Sequence, residues 1–379
     1  MTATVRCRIV ALCLLLLLLP ISGAWASPPP EAQAADYLQQ LYRSSTPAIS
    51  VAVASKGRIV FSQGAGSVDL DNLVPATGTS VYNIGSVSKV ITAVAILELV
   101  EQGKISLDDP IQKYVPSFPD KGAPITLKHL LTHTSGIRHY RKKDFPPTED
   151  TENQRPFATF EEALKIFKDD PLLFKPGEYY SYSSYAVNLL QGVIEKVTGM
   201  PFEDFLRQSV WIPAAMLNTS FDVPERIVPH RAKSYRIEKG RALNYYYNDL
   251  TYKFASGGMI STVEDLVRLG TALNHGELLK PETLALMYKS QMDPVLSYRE
   301  GAPPVKEDFQ QGLLWRIQKD DAGRTFIYHC GSVKAFNACL VNYPAEDLVV
   351  ALAVNSWGEV GGYKQAGTFA GFFRSDHQR

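Results

Sequence analysis

The sequence predicts an α+β fold: an antiparallel sheet formed by N- and C-terminal strands, flanked by helices, with an inserted mainly helical lobe. Short apolar runs bounded by turn residues lie near both ends, helical periodicity dominates the middle, and no segment repeats. At the N-terminal end, Ile49–Ala54 and Arg58–Gln63 read as strands. Ser55-Lys56-Gly57 joins them, and Gly57 supplies the positive φ of a tight turn. At the other end, Gly312–Gln318, Thr325–Cys330, Phe336–Tyr343 and Leu348–Asn355 read as successive strands. Asp320-Asp321-Ala322-Gly323 and Pro344-Ala345-Glu346-Asp347 serve as their turns. Between these ends, Lys89–Gln102 reads as a helix stopped by Gly103, followed by short helical patterns at Leu127–Thr132 and Phe160–Lys168. Tyr185–Thr198 stops at Gly199, and Thr262–Leu273 starts from a Ser261/Thr262 cap with Glu264 and Asp265 in its first turn. A cleft between sheet and lobe is the natural place for a site.

Residues 1–26 read as a secretory signal. Arg6 and Arg8 precede the apolar run Ile9–Leu19, Pro20 closes it, and Ala24-Trp25-Ala26 supplies the small-x-small cleavage pattern. The run is too short to span a bilayer comfortably, and no later segment has the length and apolarity to do so. The expectation is an exported protein, periplasmic or secreted, with no membrane span after cleavage; a retained signal anchor is the alternative. Residues 27–46 read as a loose leader and residues 47–374 as a single domain in two lobes. Residues Lys142–Pro156, charged and without a period, read as a solvated loop, with a substrate-gating lid as the other reading.

The chain carries 39 basic and 39 acidic residues. Cleavage removes two arginines and no acids, leaving a net charge of −2. This balance gives no electrostatic footprint for nucleic acid or an acidic membrane surface. Cys330 and Cys339 remain after cleavage, too few for a disulfide framework. They either face each other across a hairpin in an oxidising compartment or stay as buried thiols.

The chemistry begins at Ser86-Val87-Ser88-Lys89. A serine and a lysine three residues apart share one helical face, so the amine can reach the hydroxyl. A serine oxygen needs a partner to take its proton, and a lysine serves when burial or cationic neighbours populate its free amine. A second element, Pro176-Gly177-Glu178-Tyr179-Tyr180-Ser181-Tyr182-Ser183-Ser184, presents a phenol and a hydroxyl together after a turn. The third is His329-Cys330-Gly331-Ser332 on a strand, where the glycine is read as allowing a substrate close to the backbone.

With these three in order, the chain resembles the serine β-lactamase-like family, which includes class C β-lactamases, D-alanyl-D-alanine carboxypeptidases, D-aminopeptidases and related esterases. Further matches are Ile125-Thr126-Leu127-Lys128-His129-Leu130-Leu131-Thr132-His133-Thr134-Ser135-Gly136-Ile137 and Phe174-Lys175-Pro176-Gly177-Glu178. Met216-Leu217-Asn218-Thr219-Ser220-Phe221 and Gly257-Gly258-Met259-Ile260-Ser261-Thr262-Val263-Glu264-Asp265-Leu266 complete the set, which spans about Pro47 to Asn355. Ser135-Gly136-Ile137-Arg138-His139-Tyr140 resembles the branch containing the mitochondrial β-lactamase-like serine protein. The resemblance implies a β-lactamase/transpeptidase-like fold, with Ser86 as nucleophile, Lys89 as its proton partner and Tyr182 as the relay to the leaving group. It also implies an oxyanion hole from the backbone N–H groups of Ser86 and Ser332. Neither metal nor cofactor is implied.

Two departures stand out. Ser184 stands where much of the family has asparagine, and His329 where its β-lactamases have lysine in Lys-Thr-Gly. A histidine is mostly neutral at pH 7, so it does not replace a lysine as a carboxylate anchor. Lys334, or Arg138 if its loop folds over the cleft, is the candidate to restore the charge. His129 and His133 have zinc-like spacing, but no glutamate lies between them, so they read as structural. The tyrosines at 179, 180, 185 and 245–247 read mainly as packing. Asn218-Thr219-Ser220 is a glycosylation sequon only in a host that modifies exported proteins.

The function expected is an exported serine hydrolase working through an acyl-enzyme on Ser86. Its substrates are small molecules or peptides, first D-amino-acid-containing peptides and then small esters or amides. The alternatives are a non-catalytic peptide-binding or self-assembling scaffold of the same fold and a true β-lactamase.

Overall fold

A computed structural model describes residues 28–142, 144–145, 153–333, 335–358 and 360–374. The signal-like segment, Lys334 and part of the Lys142–Pro156 stretch lie outside the described residues. The main sheet uses β1 (Ala48–Ser55), β2 (Arg58–Asp69) and β3 (Val74–Pro75) from one end of the chain. From the other end come β4 (Gln310–Gln311), β5 (Arg316–Lys319), β6 (Thr325–Val333), β7 (Phe336–Tyr343) and β8 (Leu348–Val354). Their spatial order is β4-β5-β6-β7-β8-β1-β2-β3, with neighbours antiparallel, so the two ends of the chain meet where β8 pairs β1. This is the α+β architecture the sequence predicts.

Both central strands are covered on both faces, which is why β1 and β8 read as continuous apolar runs. Ile49, Val51 and Val53 of β1, with Val350, Leu352 and Val354 of β8, pack on one side. Ala48, Ala52 and Ala54, with Val349, Ala351 and Ala353, pack on the other, following the period-two alternation of strands.

The first of these faces corrects one expectation. Residues 30–45, read as a loose leader, form helix α1 (Pro30–Ser45), with Pro30 in its first turn. Ala34 and Leu38 bury completely against the sheet beside Phe369 and Ala370 of the C-terminal helix. The Pro/Ala composition that suggested a leader is equally that of a helix start and a small-residue packing face.

On the opposite face lies the helical lobe. Helix α2 (Ser88–Glu101) buries eleven of its fourteen residues, so it has no solvent stripe and forms the centre of the lobe. Helix α3 (Ser184–Thr198) is capped by Ser183, whose Oγ accepts from the Ala186 N–H, and it ends at Gly199 with φ 67°. Helix α4 (Val263–Asn274) starts at Thr262, whose Oγ accepts from the Asp265 N–H. Helix α5 (Tyr363–Phe372) returns to the face covered by α1.

Two predicted elements are shorter. Phe160–Lys168 is helical only to Leu164. Gly312–Gln318 breaks at Leu314, which takes φ 59° while Leu313, Leu314 and Trp315 become fully buried, so strand pairing resumes at Arg316. Side-chain burial wins over strand continuity there.

Candidate active site

Ser86 sits on a single 3-10 turn, Gly85–Val87, that runs directly into α2. The turn is tied down on three sides. The Asn83 Oδ1 accepts from the Gly85 N–H at 2.9 Å, and the Ser88 Oγ donates to the Gly85 carbonyl at 2.7 Å. The Met259 N–H reaches the Ser88 Oγ at 3.3 Å, linking the turn to a second chain segment. On the third side, β6 runs against it. A Cβ on Gly331 would lie 2.0 Å from the Ile84 carbonyl oxygen and 2.5 Å from the Ser86 nitrogen. A Cβ on Gly85, which has φ +49°, would lie 2.9 Å from the Ser332 nitrogen. The glycines therefore let backbone meet backbone. This corrects the reading of Gly331 as room for substrate: the space is filled by the nucleophile's own turn. The contact brings the Ser86 and Ser332 segments of backbone side by side.

Lys89 lies fully buried one turn along. Its Nζ is 3.0 Å from the Ser86 Oγ, 2.9 Å from the Ser184 Oγ and 2.6 Å from the Ser256 carbonyl oxygen. Burial holds its pKa well below the usual 10.5, and the nearby Lys253 and Arg316 cations push in the same direction. A neutral amine fits these partners: two N–H bonds point to the Ser256 carbonyl and one hydroxyl, and the lone pair receives the other hydroxyl's proton. Tyr182 shares a hydrogen bond with Ser86, and its ring lies 4.9 Å from the Lys89 Nζ. Burial raises its phenol well above 10, so the hydroxyl keeps its proton.

Ser86, Tyr182, Ser184, Ser256 and Ser332 line a cavity of about 250 Å³ together with His139, Tyr140, Lys253, Gly257, Arg316, His329 and Cys330. The fold thus brings together Ser86, Lys89, Tyr182, Ser184, His329 and Ser332, with Gly331 beneath them. The His329 Nδ1 is 2.8 Å from the Cys330 carbonyl, which can only accept, so that nitrogen carries the proton. Burial foremost, with the Arg316 cation acting the same way, keeps the ring neutral by lowering its pKa.

The charge proposed for Arg138 goes elsewhere. Its guanidinium is buried in ion pairs with Asp144 at 2.9 Å and Asp170 at 2.6 Å, and it does not line the cavity. The cavity's cations are instead Lys253 and Arg316, which sequence reasoning missed. Lys253 lies over the rings of Tyr140 and Tyr252, at 5.0 and 5.3 Å. Arg316 lies over Phe309 at 4.5 Å and Tyr182 at 6.0 Å. Neither residue belongs to a local motif, so no pattern in the chain marks them.

His129 accepts from the Thr126 N–H within a helix cap, and His133 is buried against Tyr180 and Tyr182. Tyr185 packs on Phe167 and donates to Asp144 at 2.8 Å. Tyr245, Tyr246 and Tyr247, read as packing, line a neighbouring cavity of about 390 Å³ that reaches Asn83 and Val333. Cys330 and Cys339 pair directly across β6 and β7 and form a disulfide, which decides between the two readings of these residues.

Sheet, central helix and Ser-Lys-Tyr cluster define the β-lactamase fold, the fold of a family of serine hydrolases. The family model described as Beta-lactamase matches residues 33–371, and the chain belongs to that family. The mouse serine beta-lactamase-like protein LACTB, mitochondrial, is 31% identical, covering 79% of this chain and 70% of that protein. This agrees with the branch that Ser135–Tyr140 resembles. Among solved structures, the octameric penicillin-binding protein homologue from Pyrococcus abyssi superposes with a TM-score of 0.74 at 27% identity, covering 89% of this chain and 75% of that one. The D-amino acid amidase from Ochrobactrum anthropi, with TM-score 0.75 and 20% identity, covers 90% of this chain and 97% of its own, and shares the fold.

Proposed function

We propose that this chain is an exported hydrolase that forms an acyl-enzyme on Ser86, acting first on D-amino-acid-containing peptides and next on small esters or amides. The observation that carries this reading is the buried, charge-suppressed Lys89 amine 3.0 Å from the Ser86 Oγ. In the acylation step, Lys89 takes the hydroxyl proton as Oγ bonds to the substrate carbonyl carbon. The carbonyl oxygen gains charge between the Ser86 and Ser332 amides. Tyr182 then gives its proton to the departing amine or alkoxide as that bond breaks, and the Lys89 ammonium re-protonates the phenolate. Water enters and the same transfers run in reverse to release the acid.

The substrate class rests on charge and shape. β5 pairs only with residues 325–328 of β6, so the edge of β6 from His329 onward borders the cavity and can take an extended peptide. Arg316 and Lys253 supply the cationic charge that the neutral His329 lacks, which suits a peptide bearing a free carboxylate. The D-amino acid amidase of the same fold supports D-amino-acid-containing substrates as the class to try. The Cys330–Cys339 disulfide supports an oxidising compartment.

The test exposes the native protein and Ser86→Ala to a fluorescent penicillin and to a fluorophosphonate, with adducts read by intact mass. Labelling of the native protein alone is expected. Penicillin turnover as well as labelling would select the β-lactamase reading. Folded protein that takes neither reagent would refute the hydrolase and select the scaffold.

A further inference from the structure

The asparagine that much of the family carries at position 184 is a serine here, and that serine's hydroxyl is engaged with Lys89 at 2.9 Å. The wall of the cavity facing β6 therefore lacks the amide donor expected there. His139 stands beside the gap. Its Nδ1 accepts from the Ser184 N–H at 3.1 Å, one of the N–H groups that a helix start leaves without an internal partner. A neutral imidazole that accepts at Nδ1 carries its proton on Nε2. Burial foremost, with the Lys253 and Arg138 cations acting the same way, pushes the His139 pKa down to about 3, so the neutral form holds at working pH. The ring is wedged between Tyr140 and Tyr182, with centroids at 4.1 and 5.4 Å, and lines the cavity.

Backbone geometry says what this donor meets. In an extended chain successive carbonyls point to opposite sides. With the scissile carbonyl lodged between the Ser86 and Ser332 amides, the amide carbonyl one residue upstream turns away from β6. Away from β6, the cavity lining includes Tyr182, Ser184 and His139.

We propose that His139 is a specificity-determining residue whose Nε2–H donates to the acyl-side amide carbonyl of the substrate, selecting N-acylated aminoacyl groups over simple acyl groups. This rests on the Ser86 acyl-enzyme reading.

The experiment compares hydrolysis of N-acetyl-D-alanine p-nitrophenyl ester with that of p-nitrophenyl butyrate, which lacks the amide, and reads the ratio of the two kcat/KM values. His139→Asn keeps an acceptor for the Ser184 N–H in its Oδ1 but removes the distal donor. His139→Gln places an N–H near the Nε2 position. The ratio is expected to fall about tenfold in His139→Asn, the scale of one lost hydrogen bond, and to recover in His139→Gln. An unchanged ratio in His139→Asn, or a native protein with no preference for the amide ester, would overturn the proposal. Fluorophosphonate labelling of Ser86, which needs no acyl amide, separates the two failures. A labelled enzyme without amide preference sinks only the role of His139, whereas an unlabelled, folded protein sinks the acyl-enzyme reading and this role together.

Discussion

Replacing Gly331 by alanine adds one methyl group at the point where β6 meets the nucleophile's turn. That methyl would lie 2.0 Å from the Ile84 carbonyl oxygen, 2.5 Å from the Ser86 nitrogen and 2.9 Å from the Gly85 carbonyl carbon. All three atoms are backbone, so no side chain can swing aside. The shortest contact must open by about 1 Å before it reaches 3.0 Å, below which real Cβ atoms are essentially never found. The Gly85–Val87 turn is tied to Asn83 and Met259, and β6 is laced into β7, so the displacement falls on the gap between the Ser86 and Ser332 amides. A misplacement of about 1 Å costs roughly a hundredfold in rate, and losing one oxyanion donor costs on the order of a hundred- to a thousandfold. Overpacking should cost about 1–3 kcal/mol of stability. The assay is the second-order rate of fluorophosphonate labelling at Ser86, with thermal unfolding alongside. A drop of about a hundredfold in a folded protein is expected. Gly371→Ala is the control, since nothing lies within 4 Å of its added methyl. A Gly331→Ala protein with native melting and native labelling would refute the claim that this glycine sets the oxyanion geometry.

Three further outcomes follow from the same physics. Because the folded pKa of Lys89 lies below 10.5, the unfolded chain binds the extra proton, and native stability should rise with pH by about 1.4 kcal/mol per unit from that folded pKa up to 10.5. Lys89→Met should lack this slope in urea unfolding across a neutral-to-alkaline series; identical pH dependence in both proteins would mean that the amine stays charged. Leu38→Ala removes a fully buried side chain of α1 and should cost about 2–5 kcal/mol, whereas a loose leader would lose nothing measurable. Replacing Cys330 and Cys339 together by alanine opens a link with sequence separation 9, and chain entropy sets the loss at about 2–3 kcal/mol by denaturant unfolding. No change under non-reducing conditions would show the pair reduced in solution.

What the sequence by itself determined was local. Short apolar runs bounded by turn residues mark β1, β7 and β8, the Thr262 position starts its helix, and Gly199 ends another, because strand runs, caps and positive φ depend only on nearby residues. Ser86 and Lys89 were legible for the same reason: three residues along a helical turn suffice to bring amine and hydroxyl together. Tyr182, Ser184 and His329 were legible through family motifs, since nothing local says they face Ser86. What only the tertiary structure decided depends on which distant segments meet. Helix α1 is stable because a sheet face built from both ends of the chain covers Leu38, and its own composition says little about that. The disulfide required the register that sets Cys330 opposite Cys339. Lys253 and Arg316 become the cavity's cations through separate loops and strands, while Arg138 is drawn away by Asp144 and Asp170. The proton on His139 is fixed by an N–H 45 residues away. Charge, tautomer and pKa in this site are properties of neighbours, and the neighbours exist only once the chain has folded.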